Sequence, residues 1–162
     1  MLSPDPSEFK SEESLDESNK DSLDSTSSLL SEIDPKTDPL IYAQNLQTQV
    51  GTIGFDWKNP QQALPKLYEE LEEVSQALNE QGKQHLQEEL GDLIFSVINL
   101  IRISGYEASA ILESANSKFV RRFNRLELIA QEEKRNISKM ALEDLETLWQ
   151  VAKIQDSIKK ED

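Results

Sequence analysis

From residue 39 onward, apolar residues recur at intervals of three and four, and no run alternates between apolar and polar positions as a strand does. Glycine and proline divide this pattern into segments. The spacing predicts helices over residues 39–50, 60–79, 84–104, 107–133 and 138–158. Asn59 is the expected N-cap of the second helix, whereas the fifth begins at Ser138 without a capping box. Short connections favour antiparallel neighbours, so we expect an all-α, four-helix-bundle-like domain.

The third predicted helix is apolar on nearly every face, which is typical of a buried helix. One narrow polar stripe interrupts it, formed by Glu89, Asp92, Ser96 and Asn99. A buried carboxylate is costly unless it is paired or bound to a metal. Glu89 and Asp92 lie one turn apart, so this pair of acids requires a cation.

The second predicted helix carries a similar pair. Glu70 and Glu73 flank its apolar stripe, between the small residues Ala63 and Ala77. Two such acid pairs on successive antiparallel helices could converge on one cation. An all-oxygen ligand set selects a hard ion, Mg²⁺ or Mn²⁺. The alternative is that Lys or Arg from neighbouring helices neutralises these acids.

The fourth predicted helix places Arg122 within its apolar face and Lys118 at the edge of that face. An arginine that faces a core needs an anionic partner, which can be a carboxylate or a substrate phosphate. A bound cation together with Arg and Lys suits phosphoryl or nucleotidyl chemistry, because negative charge develops on phosphate oxygens in the transition state.

The charge of the chain is concentrated near its start. Residues 1–38 hold 11 Asp and Glu against 3 Lys and Arg, so they carry −8 of the formal net charge of −14. They also contain 10 Ser and few large apolar residues, and such a segment cannot bury enough surface to offset its ordering entropy. We predict a disordered acidic tail over residues 1–38 and a catalytic helical domain over 39–162. The acidic balance argues against a nucleic-acid polymer as partner.

The apolar runs of the chain do not predict a membrane partner. The longest candidate, residues 90–103, is too short for a span and is interrupted by Gly91, Asp92 and Arg102. Residues 1–10 lack the basic and apolar regions of a secretion signal. Cysteine is absent, which fits a reducing compartment. We expect the protein to be cytoplasmic.

Five sequence blocks together resemble a known family. They are GFDW at residues 54–57, KLYEELEEV at 66–74, EELGDLIF at 88–95, ANSKFVRRFNRLE at 115–127 and DLETLWQVAK at 144–153. In this order and at these separations, they resemble the MazG-type nucleoside triphosphate pyrophosphohydrolases. The resemblance implies the all-α MazG fold, completed by dimerisation. It also implies Mg²⁺-dependent hydrolysis (with Mn²⁺ as a possible substitute) of a (d)NTP to the (d)NMP and pyrophosphate.

The resemblance also assigns roles to individual residues. Glu70, Glu73, Glu89 and Asp92 would hold Mg²⁺. Lys118 and Arg122 would bind phosphates and act in catalysis. Substrate contacts would come from Lys66, Glu69, Glu88 and Trp149, with Glu69 a candidate for the catalytic base.

Several alternatives remain open at this point. Trp149 would serve equally well as a core or dimer-contact aromatic, and we interpret His85 as an exposed residue at a helix start. Related all-α enzymes act on dUTP, dCTP or phosphoribosyl-ATP, and the metal motif does not separate them. A helical dimerisation module without catalytic activity, in which all the acids are paired internally, is the alternative from another class.

Overall fold

Five α-helices form the part of the chain that the computed structural model describes, residues 28–79 and 82–158. They are α1 (Pro39–Gly51), α2 (Pro60–Asn79), α3 (Lys83–Ile103), α4 (Ala108–Glu132) and α5 (Leu142–Ile158). A single 3₁₀ turn, Ile137–Lys139, precedes α5. Within these ranges there is no strand, so the predicted all-α class is confirmed.

The helix boundaries follow local capping chemistry. The Asn59 side chain accepts a hydrogen bond from the Gln62 backbone N–H at 3.1 Å, which confirms it as the cap of α2. The fifth helix begins later than the prediction of residue 138. There, the Asn136 side chain accepts from the Ser138 N–H at 3.0 Å and supports only the 3₁₀ turn, which ends at Met140 in extended backbone. The apolar spacing across this turn resembles that of a helix, which explains the early start that the sequence predicts.

The helices pack as two pairs. α2 lies against α3, α4 lies against α5, and α1 contacts both α3 and α4. Two buried glutamines of α1 make the connection. Gln44 accepts from the Ala108 N–H at 2.8 Å and so caps the start of α4, and it also donates to Glu107 at 2.9 Å. Gln47 donates to the backbone carbonyl of Phe95 in α3, also at 2.9 Å.

The buried core lies between α4 and α5, where Leu126, Ala130, Leu148 and Ala152 form one cluster. The prediction that α3 is a buried helix is wrong for the single chain. Of the described α3 residues, Ile98 is the one that is buried, and Ile94 and Phe95 remain exposed. The reason is geometric, because α1 and α2 cover only part of the circumference of α3.

The acidic segment at the start of the chain is described only in part, since residues 1–27 of the predicted tail lie outside the described residues. Residues 28–37 form short turns, and Ile33 is half-buried. Ile33 borders a shallow pocket together with Asn45 and Thr48 of α1. The division at residue 38 therefore stays a prediction. Among the described helices, none combines the length and the apolar character that crossing a membrane requires.

Candidate functional site

Three carboxylates converge between α2 and α3. Glu70 and Glu73 of α2 and Glu89 of α3 each place a carboxylate oxygen within 4.8 Å of the other two. The i,i+3 spacing puts the first two on one face of α2, and the pairing of α2 with α3 brings the third to them. Glu70 is only 5% exposed, and the other two are half-buried. We call these three residues the acidic cluster.

Asp92, the fourth predicted ligand, does not join the acidic cluster. It is exposed, and it lies one turn further along α3 than Glu89, about 4.5 Å along the axis. Its side chain is also one methylene shorter than that of Glu. The structure therefore brings together three of the four predicted metal ligands, and a metal role for Asp92 stays a prediction.

The acidic cluster has little positive charge to balance it. Lys66 Nζ lies 2.8 Å from Glu70 Oε1 and 2.8 Å from Glu69 Oε1, and these two carboxylates raise the pKa of Lys66. His85 Nδ1 lies 3.2 Å from Glu89 Oε1. Among the described residues, Lys66 is the one Lys or Arg that forms an ion pair with the cluster.

The pKa of Glu73 is raised in these surroundings. Burial raises it first, and the hydrogen bond with Glu70 and the negative charges of Glu70 and Glu89 raise it further. Three crowded carboxylates gain from a divalent cation, which neutralises their mutual repulsion. The donors are all oxygen, so the residues present fit Mg²⁺ or Mn²⁺.

The predicted phosphate-binding cations lie on the other helix pair. Arg122 Nε donates to Asp156 Oδ2 of α5 at 2.9 Å, and Arg121 donates to the same carboxylate. Asp156 is nearly buried, and Arg121 first and then Arg122 hold its pKa well below the ordinary value. In the single chain, Arg122 therefore has the carboxylate partner that the sequence left as an alternative to phosphate.

Lys118 is exposed on α4, and no ion pair with a described residue holds it. No ion pair between described residues joins Lys118 or Arg122 to the acidic cluster, because α4 packs chiefly against α5. The structure of one chain thus keeps the predicted metal ligands and the predicted phosphate ligands on separate helix pairs.

The remaining predicted site residues differ in their surroundings. Glu69 is exposed and paired with Lys66, directly beside the acidic cluster. Glu88 is also exposed, and it accepts from the Gln84 amide at 3.3 Å. Trp149 packs against the α4–α5 core, with its ring 5.3 Å from that of Phe119. This is the core position that the sequence left open, and a contact of Trp149 with the nucleotide stays a prediction.

A cavity of about 480 Å³ lies between α1, the loop that follows it and α3, and the sequence did not predict it. Its walls are formed mainly by Gln47, Phe55, Trp57, Phe95, Asn99 and Arg102. The backbone of the loop turns at Gly54, whose φ of +87° is accessible mainly to glycine. Two sequence signals could have indicated the cavity. One is the pair of aromatics in GFDW, and the other is Asn99 at the end of the polar stripe of α3.

An ion-pair network fixes the polar edge of this cavity. Arg102 donates to both oxygens of Asp56, at 3.0 and 2.6 Å, and to the Asn99 side-chain oxygen at 2.7 Å. The Arg102 hydrogen bonds lower the pKa of Asp56, so this carboxylate stays ionised. The network holds the GFDW loop against α3.

Comparison with known proteins identifies the family of the chain. Residues 58–127, which include the acidic cluster, match the MazG nucleotide pyrophosphohydrolase domain. The chain belongs to the MazG family. A Thermotoga maritima protein named nucleoside triphosphate pyrophosphohydrolase/pyrophosphatase MazG is 35% identical over 127 residues, covering 78% of this chain and 49% of that protein. An Escherichia coli K12 protein named nucleoside triphosphate pyrophosphohydrolase is 38% identical over 133 residues, covering 80% of this chain and 50% of that protein. The MazG-family chain thus spans about half the length of these relatives.

Proposed function

We propose that this MazG-family chain is a Mg²⁺-dependent nucleoside triphosphate pyrophosphohydrolase that converts a (d)NTP and water into the (d)NMP and pyrophosphate. The observation that carries the proposal is the acidic cluster, three carboxylates that each bring one oxygen within 4.8 Å of the others and that pair, among the described residues, with one lysine. The names of the relatives from Thermotoga maritima and Escherichia coli support the same reaction.

The acidic cluster would hold the metal, with Asp92 reaching it from the next turn of α3. Bound Mg²⁺ supplies a Lewis acid for the α-phosphate and lowers the pKa of water. Glu69, exposed beside the cluster and paired with Lys66, would accept the proton of the attacking water. Glu88 lies on the same helix as Glu89 and would contact the substrate.

Lys118 and Arg122 would neutralise the departing pyrophosphate. Arg122 would then exchange its carboxylate partner for a phosphate oxygen. Asp156 would keep its other donor, Arg121, during that exchange. Trp149 packs against Phe119 with the two rings tilted by 45° and would contact the nucleotide from α5.

We also propose that the chain forms a homodimer in the cytoplasm, with no membrane or nucleic-acid partner. Large apolar side chains of α2 and α3, among them Leu71, Leu78 and Ile94, remain exposed in the single chain. A contiguous apolar surface is typical of an interface, and we propose that these side chains form one. A second copy would cover α3 and so supply the burial that its sequence predicts.

Product identification tests the reaction. The sequence has five Gly and no GxxxxGK[ST] run. That run is the phosphate-binding loop of P-loop enzymes, which release the γ-phosphate. We expect chromatography of a reaction with Mg²⁺ to show monophosphate and pyrophosphate in equal amounts, and EDTA to abolish both. Accumulation of the diphosphate would contradict the proposal. Including dUTP, dCTP and phosphoribosyl-ATP in the substrate panel separates the narrower alternatives.

The alternative without catalysis is a helical dimerisation module in which all the acids are paired internally, as Asp156 is with Arg122. That module predicts no binding of divalent cations. Calorimetric titration of the chain with Mg²⁺ therefore separates it from every enzymatic alternative.

A further inference from the structure

Helix α2 carries two of the three carboxylates of the acidic cluster, and α3 is the one described helix against which it packs closely. Its buried apolar residues, Ala63, Val74 and Ala77, are no larger than valine. A small side chain buries little surface and therefore contributes little to holding two helices in one arrangement. The position of α2 against α3 thus depends on what holds the ends of the pair.

An ion pair fastens the loop before α2 to α3. Arg102 donates to both oxygens of Asp56, at 3.0 and 2.6 Å, and its side chain is only 13% exposed. A bidentate pair of this kind fixes the relative orientation of its partners as well as their distance. Asn99, one turn earlier on α3, accepts from two nitrogens of the same guanidinium group and so holds it in place.

The end of α1 leaves room for the Asp56 carboxylate. Gly51 is the last residue of α1, and a Cβ atom there would lie 3.0 Å from Asp56 Oδ2. Because a contact that short would force the carboxylate to shift, a glycine is required for its observed position. Asp56 thus lies between the end of α1 and Arg102 of α3.

Hydrogen bonds connect the loop to the first turn of α2. The Asn59 side chain accepts from the Gln62 backbone N–H at 3.1 Å, and the Gln62 side chain accepts in return from the Lys58 N–H, also at 3.1 Å. This reciprocal arrangement resembles a capping box and ties the loop to the helix. Residues 56–62 are therefore fastened to α3 at one end and to α2 at the other.

We propose that Arg102 is a positioning residue for the metal site, because its ion pair with Asp56 keeps the acidic cluster assembled. This inference rests on the proposed function for the identity of the metal. Arg102 lies 13 residues beyond Glu89 on α3, a rise of about 20 Å, so it acts through the position of α2 and not as a ligand.

The geometry of the α2–α3 pair explains how a distant ion pair affects the acidic cluster. The chain joins the two helices between Asn79 and Lys83, so their other ends are held by packing and by the Asp56–Arg102 pair. Glu70 lies about 13 Å along the axis from Asn79, so a tilt of α2 by about 10° would move it by about 2 Å. Mg²⁺ requires near-ideal octahedral geometry with oxygen ligands at about 2.0–2.1 Å, and a movement of that size would break its coordination.

Binding of Mn²⁺ to the full-length chain, measured from the loss of the EPR signal of the free ion, tests the proposal. We expect Arg102→Gln to weaken Mn²⁺ binding by about tenfold or more, the scale of losing a residue that orients metal ligands. Coulomb attraction alone predicts the opposite sign, because the variant removes a positive charge. Arg135→Gln is the matched control, since Arg135 also pairs with an aspartate, Asp144, and its loss should not weaken binding. Unchanged or tighter binding by Arg102→Gln would overturn the proposal.

A double-mutant cycle tests whether the effect acts through the ion pair. Asp56→Asn removes a negative charge, yet it should weaken Mn²⁺ binding about as much as Arg102→Gln, and the double variant should lose no more than either single variant. Additive losses would show that the two residues act separately. Leu148→Ala controls for stability, because it should lower the Tm through the α4–α5 core and leave Mn²⁺ binding at the parent value. If it weakens binding as much as Arg102→Gln, the ion pair supports only the fold.

A distance between α2 and α3 in the metal-free chain provides a readout that requires neither metal nor hydrolysis. The sequence has no cysteine, so spin labels can be attached at Tyr68→Cys on α2 and Gln87→Cys on α3, with unlabelled chain added to dilute distances between copies. We expect Arg102→Gln to shift or broaden this distance by about 2 Å, the movement expected from a small tilt of α2, and Arg135→Gln to leave it unchanged.

The two readouts distinguish failure of this inference from failure of the proposed function. An unchanged distance in Arg102→Gln would overturn the positioning role even if the parent chain hydrolyses triphosphates. Failure of the parent chain to bind Mn²⁺ would contradict the proposed function instead, and the distance would still decide whether Arg102 holds α2.

Discussion

The two helix pairs of this chain differ in how their charged side chains are paired. In α2–α3, three carboxylates crowd together, and Lys66 is the one Lys or Arg paired with them among the described residues. In α4–α5, Arg121 and Arg122 share Asp156, and Arg125 donates to Gln155. The first pair holds an excess of negative charge at the acidic cluster, whereas in the second pair Arg121 and Arg122 both have a carboxylate partner.

The difference also extends to the apolar residues. The buried core cluster belongs to α4–α5. Both pairs leave large apolar side chains exposed, Leu71 and Ile94 in the first and Phe119 and Ile154 in the second. A helix pair with a buried core cluster and paired arginines is suited to support the fold. A pair with crowded, poorly neutralised carboxylates is suited to bind a cation. The proposed metal site therefore belongs to α2–α3, and the core cluster belongs to α4–α5.

The largest expected effect concerns the acidic cluster. Glu73→Gln removes one of the three carboxylates, and we expect turnover to fall by about 10³-fold, the upper end of the effect of losing one charge-stabilising group. Helix content should not change, because the substitution also relieves repulsion from Glu70 and Glu89. Pyrophosphate release and circular dichroism are the measurements. Glu72→Gln, an exposed neighbour, is the matched control, and near-normal turnover of Glu73→Gln would remove the metal assignment.

The core of α4–α5 should dominate stability. Leu148→Ala deletes a buried side chain of the core cluster, and we expect it to lower the free energy of unfolding by about 3 kcal/mol. Leu71→Ala on α2 changes an exposed side chain and should cost less than about 0.5 kcal/mol in dilute protein. Urea unfolding at two protein concentrations provides both values. A cost for Leu71→Ala that grows with concentration would indicate an interface on α2, and equal costs in dilute protein would contradict the comparison.

Two neighbouring arginines distinguish phosphate binding from structural pairing. Arg121 and Arg122 both donate to Asp156, but Arg122 is the one that faces the interior. We expect Arg122→Ala to reduce turnover by about 10²-fold, because it would remove a cation from the leaving pyrophosphate. Arg121→Ala should lower the Tm while leaving turnover nearly unchanged. If the two variants lose turnover equally, Arg122 acts only by supporting α5.

The smallest effect should appear in the pH dependence of stability. The pKa of Asp156 is lowered in the folded chain, so its stabilising contribution is complete above the ordinary carboxyl pKa of 3.8 and is lost as the pH falls through the folded value. Asp156→Asn should therefore have a lower Tm than the parent chain at neutral pH. The difference should remain constant down to about pH 4 and shrink only below it. A difference that vanishes near pH 6 would show that the arginine pairs do not stabilise the fold.

The sequence by itself determined most helix boundaries and indicated the acidic pairs of α2 and α3. Helical periodicity and capping are local properties, so four of the five helices begin and end within two residues of the predicted positions. The i,i+3 spacing within α2 and the short connection to α3 were enough to predict that Glu70, Glu73 and Glu89 meet. The ordered blocks from GFDW to DLETLWQVAK were enough to indicate the MazG family.

The tertiary structure alone decided which side chains find partners far away in sequence. Arg122 meets Asp156 across 34 residues, and Arg102 meets Asp56 across 46, so helical spacing contains no information on either pair. The cavity likewise needs Gln47 of α1, the GFDW loop and Asn99 of α3 in one place. Asp92 lies outside the acidic cluster because the orientation of α3 against α2 decides whether a residue one turn beyond Glu89 can still reach it, and its spacing alone does not. Each of these outcomes depends on how separate helices are oriented, which local sequence patterns do not specify.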